Sequence, residues 1–134
     1  MDMEITFPGG SRVDASFGPY EVRTDQPSRD GSAGSAPTPF ATFLASIGTC
    51  AGIYVLGFLR QRGLPTDGVR LVQSIQANPL TGMVDKINIE VQLPPEVPDK
   101  FHGAIVRAAE LCAVKKHFQA PPQISVGAVK AVPA

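Results

Sequence analysis

The N-terminal part of the chain alternates apolar and polar residues with a period of two. Three such runs are separated by turns rich in glycine and proline at residues 8–11 and 18–19. The apolar members of these runs are Met3, Ile5, Phe7, Val13, Ala15, Phe17, Tyr20 and Val22. Alternation punctuated by Gly and Pro is typical of strands joined by tight turns, so we expect a three-stranded β-meander here.

Residues 40–59 (FATFLASIGTCAGIYVLGFL) contain no charged residue. Thr38 and Pro39 precede this run, and basic residues with a glycine follow it at positions 60–63, which are the start and stop signals of a helix. Twenty uncharged residues also satisfy the length criterion for a membrane span. However, the run contains small and polar residues that lower its mean hydropathy. The neighbouring strands also need an apolar element to pack against. We therefore expect the buried central helix of a globular fold.

Strand patterns return after this helix. Residues 69–77 and 86–93 predict a hairpin across a turn at 78–82, because Ile87, Ile89, Val91 and Leu93 alternate strictly with polar residues. An amphipathic helix is expected over residues 101–112, followed by a final strand containing Ile124, Val126 and Ala128. Because hairpins dominate over strand–helix–strand units, this order favours an α+β fold with antiparallel sheets packed around the long central helix and a second helix.

The length of 134 residues predicts a single domain spanning 1–134. Twelve Lys and Arg residues balance twelve Asp and Glu residues, which gives no basic footprint for a nucleic-acid partner. The sequence also has no basic amphipathic stretch, so a membrane partner is not expected. The N-terminus lacks the pattern of a secretory signal, and two cysteines are too few for a secreted disulfide framework. We therefore expect a cytoplasmic protein with reduced thiols.

Cys50 and Cys112 are the residues best suited to chemistry. The alternative for each is a buried cysteine that acts as a small hydrophobic side chain, which is the commonest role of a free cysteine. Both lie on the predicted inward faces of the two helices, so helix packing could bring the two thiols together. A thiol reacts as the thiolate, which needs a nearby positive charge or a helix N-terminus.

The two thiols differ in the charges near them in sequence. Cys112 is followed by Lys115, Lys116 and His117, whereas no charged residue lies within a helical turn of Cys50. A cation for Cys50 would have to come from elsewhere in the fold. The candidates are Arg12, Arg23 and Arg29, and the alternative for each is a solvated surface charge.

Other chemistries find little support in the sequence. His102, Cys112 and His117 do not have the spacing of a zinc site, so no metal is expected. A cysteine hydrolase could pair a thiol with one of these histidines, but no nucleophile-elbow pattern is present. The sequence also lacks a phosphate-binding glycine loop, and no cofactor is expected.

Residues 36–50 (APTPFATFLASIGTC) resemble the segment that opens the central helix of OsmC-like proteins. This family is related to the osmotically induced and organic hydroperoxide resistance proteins. Cys112, at the end of an amphipathic helix after Ala108-Ala109, falls where the family places its partner thiol. The resemblance implies an intertwined homodimer in which each half contributes to two sites.

The resemblance also implies a thiol peroxidase of the organic hydroperoxide reductase type. Cys50 would attack an organic hydroperoxide and become a sulfenic acid, Cys112 would form a disulfide with it, and a dithiol reductant would restore both. The activating arginine of the family comes from the N-terminal strand region, which matches Arg12 best and Arg23 second.

Three positions depart from the family pattern. The family has a glutamate that pairs with the arginine, but Phe40 and Ala41 occupy the corresponding positions in this chain. Ala113 occupies the position of the proline that usually follows the second cysteine. An alternative function is therefore a non-catalytic module that binds a small lipophilic ligand at the dimer interface.

Overall fold

The structure, a computed structural model, describes residues 1–132. Its elements in chain order are β1 (Glu4–Gly9), β2 (Arg12–Phe17), β3 (Tyr20–Thr24), α1 (Pro39–Gln61), β4 (Arg70–Ala77), β5 (Val84–Gln92), a short 3-10 turn (Asp99–Phe101), α2 (His102–Ala109) and α3 (Ala113–Gln119). The strands form two antiparallel sheets, β1-β2-β3 and β4-β5. The predicted α+β class with antiparallel sheets, a long helix and a second helical region is confirmed.

The first sheet forms as its alternating pattern predicts. Ala15 on the central strand lies opposite Ile5 on one side and Val22 on the other. Gly10 and Gly18 have positive φ angles of 58° and 53°, which these tight turns need and which other residues rarely adopt. The sheet makes no extensive contact with any other described element, so its apolar side chains stay largely open to solvent.

The loop between β3 and α1 is held by hydrogen bonds between its two ends. The backbone N–H and the hydroxyl of Ser35 donate to the Asp25 carboxylate, and the Asp25 N–H donates to the Pro37 carbonyl at 3.0 Å. The hydrogen bond from the Ser35 hydroxyl, with those from the Ser35 and Gln26 N–H groups, holds the pKa of Asp25 below its usual range. The loop therefore returns the chain beside the end of β3, where α1 begins.

Helix α1 begins and ends with the predicted signals. The Ala41 N–H donates to the hydroxyl of the N-cap residue Thr38 at 3.1 Å, and Pro39 occupies the first helical position. After the helix, Gly63 has a φ of 63°. Its fully buried residues form a single stripe with a spacing of four: Ile47, Ala51, Val55 and Leu59. The sequence predicted that this helix would be buried on all sides. Within a single chain, only this stripe of the helix is buried.

α1 is the one helix among the described residues that is long and apolar enough to cross a membrane, with a mean hydropathy of 1.8. Its buried stripe packs in the main hydrophobic core. Val55 and Leu59 meet Val97 and Ile105 there, and these four side chains are at most 1% exposed. One face of the helix is thus committed to contacts with the second sheet and α2.

The second sheet packs directly on α1. In this sheet Leu71 lies opposite Val91 in antiparallel register. The Gln73 side chain reaches from β4 to donate to the Leu44 carbonyl of α1 at 3.0 Å. Gly48 permits this approach, because a Cβ at that position would lie 2.8 Å from Gln73 Oε1.

The prediction of one helix over residues 101–112 is wrong in its extent. α2 ends at Ala109, and Cys112 has an extended backbone with φ −47° and ψ 123° before α3 begins. Ile105 and Cys112 both face α1.

The predicted final strand is also wrong for the single chain. Residues 121–132 form no regular secondary structure, and Ile124 and Val126 are 83% and 95% exposed. A strand requires a hydrogen-bonded neighbour, and none of the described strands lies beside this segment.

Candidate thiol site

The packing of α1 against the α2–α3 junction brings the two thiols together. Cys50 lies midway along α1 and is half-buried, whereas Cys112 is 2% exposed and is the N-cap residue of α3. Cys112 Sγ lies 3.8 Å from the Ile47 carbonyl oxygen, one helical turn from Cys50. Both thiols are free. Cys112 thus faces α1 from the break between the two short helices.

The pKa of the Cys50 thiol is held below its ordinary value. The backbone N–H of Val114 has the largest effect, and the Cys112 side chain and the Ala113 N–H act in the same direction, while burial opposes them. These N–H groups belong to the first turn of α3, where they have no carbonyl partner within the helix. Donors of this kind stabilise a thiolate because their partial positive charge faces it.

A backbone source of activation was not foreseen from the sequence. The sequence indicated a side-chain cation for Cys50, whereas peptide N–H groups lower its pKa in the structure. One available signal was Ala113, because a proline after the second cysteine would have no N–H to donate. This departure from the family pattern adds a donor to the site.

The arginines named as candidates lie on the first sheet and in the following loop. Arg12 Nη2 contacts Asp14 Oδ2 at 2.5 Å. Asp14 is 3% exposed, although it occupies a polar position of the alternating strand β2. Arg23 Nε lies 3.5 Å from Glu21 Oε1, and both side chains are exposed. Arg29 lies in the loop between β3 and α1. Within the described part of one chain, none of these arginines contributes to lowering the pKa of Cys50.

The basic residues after Cys112 do not face the thiols as their sequence positions suggested. His117 Nδ1–H donates to the Ala113 carbonyl at 2.6 Å, so its ring is directed along α3. His102 lies 3.6 Å from Asp99 at the start of α2. Neither histidine is hydrogen-bonded to a thiol in the described chain, and no group of three or more potential metal ligands occurs among residues 1–132.

A cavity of about 610 Å³ opens beside Cys112. Its walls are the inward face of β5, the buried stripe of α1 and the facing sides of α2 and α3. The lining is mostly apolar, and its charged or titratable members are Glu90, His102, Glu110 and Lys115. Cys112 lines the cavity, whereas Cys50 does not. This volume and composition suit a small apolar molecule.

The fold and the thiol pair together define a mixed α+β protein with two antiparallel sheets and a long helix that carries a cysteine. The sequence matches the family of OsmC-like proteins over residues 31–127, and the chain belongs to that family. The predicted resemblance is therefore confirmed. No curated protein sequence matches the chain significantly.

Solved structures with the same fold share little sequence with this chain. A protein from Psychrobacter arcticus, described as an osmotic stress induced and detoxification response protein, has 21% identity and a TM-score of 0.70, with 85% of each chain covered. An OsmC-like protein from Mycoplasma pneumoniae has 14% identity and a TM-score of 0.65, covering 90% of this chain and 87% of that one. The organic hydroperoxide resistance protein OhrB of Bacillus subtilis has 17% identity and a TM-score of 0.55, covering 90% and 93%.

Proposed function

We propose that the protein is a thiol-dependent peroxidase that reduces organic hydroperoxides through Cys50 and Cys112. The observation that carries this proposal is the convergence of the two thiols, with the pKa of Cys50 lowered by N–H groups at the start of α3 and by Cys112. A thiolate next to a second thiol is the arrangement that peroxide reduction with disulfide formation requires. Membership of the OsmC-like family adds support.

The reaction proceeds in three balanced steps. The Cys50 thiolate attacks the outer oxygen of the hydroperoxide, the O–O bond breaks, and the alkoxide leaves as the alcohol after taking a proton. Cys50 is then a sulfenic acid, and the Cys112 sulfur displaces its hydroxyl as water to form a disulfide. A dithiol reductant returns both cysteines to thiols by two thiol–disulfide exchanges and is itself oxidised to a disulfide.

The extended backbone at Cys112 favours the second step. Two cysteines form a disulfide when their Cα atoms lie within about 7 Å, and otherwise the backbone has to move. Cys112 lies between α2 and α3, and the Lys116 N–H donates to its carbonyl at 3.2 Å as the first hydrogen bond of α3, so a shift of Cys112 would disturb only the first turn of that short helix. Cys50 is fixed in the middle of α1.

The activity is tested with cumene hydroperoxide and a dithiol. The wild-type protein should consume peroxide, Cys50→Ser should lose this activity, and Cys112→Ser should react once. Mass spectrometry of Cys112→Ser after one equivalent of peroxide should show one added oxygen on the peptide that contains Cys50. Equal peroxide consumption by the wild type and Cys50→Ser would refute the proposal.

We also propose that the protein acts as a homodimer. One chain exposes 10337 Å², whereas a compact monomer of 14.1 kDa is expected to expose about 6,700 Å². The excess of about 3,600 Å² is more than one subunit of an ordinary obligate dimer buries, which favours intertwined chains. The apolar side chains available for burial include Ile5, Phe7, Tyr20, Phe43 and Ile53, each more than 40% exposed.

In such a dimer the first sheet of the second chain could bring an arginine to Cys50. Arg12 is the first candidate and Arg23 the second, and the buried Asp14 carboxylate would hold Arg12 in place as the family glutamate does elsewhere. Replacing each arginine by alanine and measuring Cys50 alkylation against pH tests this role. The arginine that contributes should raise the pKa of Cys50 when removed, and no change with either variant would exclude both.

A second candidate function is the binding of a small lipophilic ligand without catalysis. The observation that favours it is the cavity of about 610 Å³, which borders Cys112 and not Cys50. Native mass spectrometry of the purified protein should then show a bound molecule. Fast peroxide turnover without any co-purifying ligand would rule against this function.

A further inference from the structure

Three phenylalanine side chains form an aromatic cluster at the N-terminal end of α1. Phe40 and Phe43 lie one helical turn apart with their ring centroids separated by 5.7 Å, and Phe118 of α3 meets Phe43 edge to face, also at 5.7 Å. The three residues are between 42% and 55% exposed, so the cluster is not part of the hydrophobic core. Exposed apolar patches of this kind mark ligand-binding grooves or interaction surfaces.

The aromatic cluster lies on the same face of α1 as Cys50. Phe43 and Cys50 are seven residues apart, which is two helical turns and about 10 Å along the helix axis. Helix α3 contacts α1 at both places, because its first N–H groups act on Cys50 and its Phe118 packs against Phe43. The aromatic cluster and the thiol therefore lie at the two ends of one contact between α1 and α3.

The cavity described above borders both ends of this contact. Phe118 and Cys112 line it, and so does Ile47, which lies on α1 between Phe43 and Cys50. A molecule that rests on the aromatic cluster can thus extend toward the thiol pair within an apolar space.

Phe40 is also a departure from the family pattern. The family has a glutamate where this chain has Phe40 and Ala41. A carboxylate at this position would have to be desolvated beside an apolar ligand, whereas a phenyl ring adds apolar surface and prefers aromatic neighbours. This chain therefore has an aromatic surface near Cys50 where the family has a charge.

The distances fit a hydroperoxide that carries an aromatic ring. A ring packed against Phe43 in the direction of Cys50 has its centroid about 5 Å from the Phe43 ring, which leaves about 5 Å to the level of Cys50. In an arylalkyl hydroperoxide, the path from the ring centroid to the outer oxygen covers about this length, since each bond adds roughly 1.5 Å. A short aliphatic hydroperoxide cannot contact the aromatic cluster and the thiol at once.

We propose that Phe40, Phe43 and Phe118 bind the aromatic ring of the substrate and make the protein selective for arylalkyl hydroperoxides over aliphatic ones. The three side chains determine specificity and take no part in the thiol chemistry. This inference rests on the proposed function, because it names the class of hydroperoxide that Cys50 reduces.

Cumene hydroperoxide and tert-butyl hydroperoxide form a matched pair of substrates, since a phenyl group in the first replaces a methyl group in the second. The wild type should prefer cumene hydroperoxide by about tenfold in kcat/KM. Phe43→Leu and Phe118→Leu should each reduce this preference about two- to tenfold. The reduction should come chiefly from KM, because the ring contact is the same in the ground state and the transition state.

Phe17→Leu is the matched control. It removes a ring from another aromatic pair, Phe17–Tyr20 of the first sheet, whose centroids are 5.9 Å apart, and it should keep the wild-type preference. An unchanged preference in Phe43→Leu and Phe118→Leu, or an equal loss with both substrates, would overturn the proposal. Weaker dimerisation of these two variants in light scattering, with the preference unchanged, would assign the aromatic cluster to a subunit interface and overturn it as well.

Binding of 2-phenyl-2-propanol, the alcohol formed from cumene hydroperoxide, separates this inference from the proposed peroxidase, because it requires no thiol chemistry. Saturation-transfer NMR should show contact of its ring with the wild type, weaker contact with Phe43→Leu, and no contact for tert-butanol. Peroxide consumption without ring binding or preference would overturn this inference and leave the peroxidase in place. Ring binding without peroxide consumption would refute the peroxidase and support the aromatic cluster as the site that binds the ring.

Discussion

Replacing Ala113 by proline removes one of the N–H groups that lower the pKa of Cys50. The substitution suits the local backbone. Ala113 is the first residue of α3, where proline is well tolerated, and the preceding Cys112 already has the extended ψ of 123° that residues before proline prefer. The variant should therefore fold normally and change mainly the electrostatics of the thiol.

The magnitude follows from the hydrogen bond that is lost. A hydrogen bond to a charged group contributes about 1.5–3 kcal/mol. Cys50 is only half-buried and retains the larger contribution of the Val114 N–H, so solvent and the remaining donor should offset about half of the loss. The thiolate population below the pKa should then fall about three- to tenfold.

The pH dependence of iodoacetamide alkylation, followed by mass spectrometry on the peptide that contains Cys50, measures this effect. Ala113→Pro should shift the rate profile to higher pH, while the plateau rate at high pH stays the same. Ala113→Ser keeps the N–H and is the matched control, whose profile should follow that of the wild type. A profile for Ala113→Pro that coincides with the wild type would refute activation by this backbone N–H.

The same lowered pKa gives Cys50 a pH-dependent effect on stability. Because the folded state favours the thiolate, Cys50 stabilises the fold above the ordinary thiol pKa, and this contribution is lost as the pH falls through the lowered value. Denaturation of the wild type and Cys50→Ser across this range should show a difference in the free energy of unfolding that grows with pH. A difference independent of pH would contradict the lowered pKa.

Three further substitutions concern the first sheet and helix α1. Asp14→Asn leaves Arg12 without its buried partner and should lower the free energy of unfolding by about 1–3 kcal/mol in urea denaturation. Gly52→Ala should raise it by up to about 1 kcal/mol, because a Cβ there has open space in the chain and alanine favours the helix. Gly48→Ala should gain less, because the new Cβ displaces Gln73 from its hydrogen bond to α1.

These predictions have internal controls. Glu21→Gln removes one partner of an exposed ion pair with Arg23 and should change the free energy of unfolding by less than about 0.5 kcal/mol. A loss for Glu21→Gln as large as that for Asp14→Asn would show that burial of the pair is unimportant. A gain for Gly48→Ala equal to that for Gly52→Ala would show that Gln73 does not constrain the helix.

The sequence alone determined the elements whose signals are local. Period-two alternation predicted β1–β3 and the β4–β5 hairpin, because the faces of a strand alternate with each residue. The limits of α1 were predicted from Thr38, Pro39 and the glycine after the helix, since capping depends on residues within one turn of the helix ends. The cysteine-bearing segment over residues 36–50 also indicated the family.

Only the tertiary structure decided how the thiol site is built. The break at Cys112 places that thiol and the first N–H groups of α3 against Cys50, although they are more than sixty positions apart in the sequence. Backbone donors are present at every non-proline residue, so no sequence pattern shows which of them will face a thiol. For residues 124–128 the sequence pattern is clear, but the single chain does not form the predicted strand. Their alternation predicts a strand, but strand formation depends on a neighbouring edge, which a chain's own sequence does not place in space.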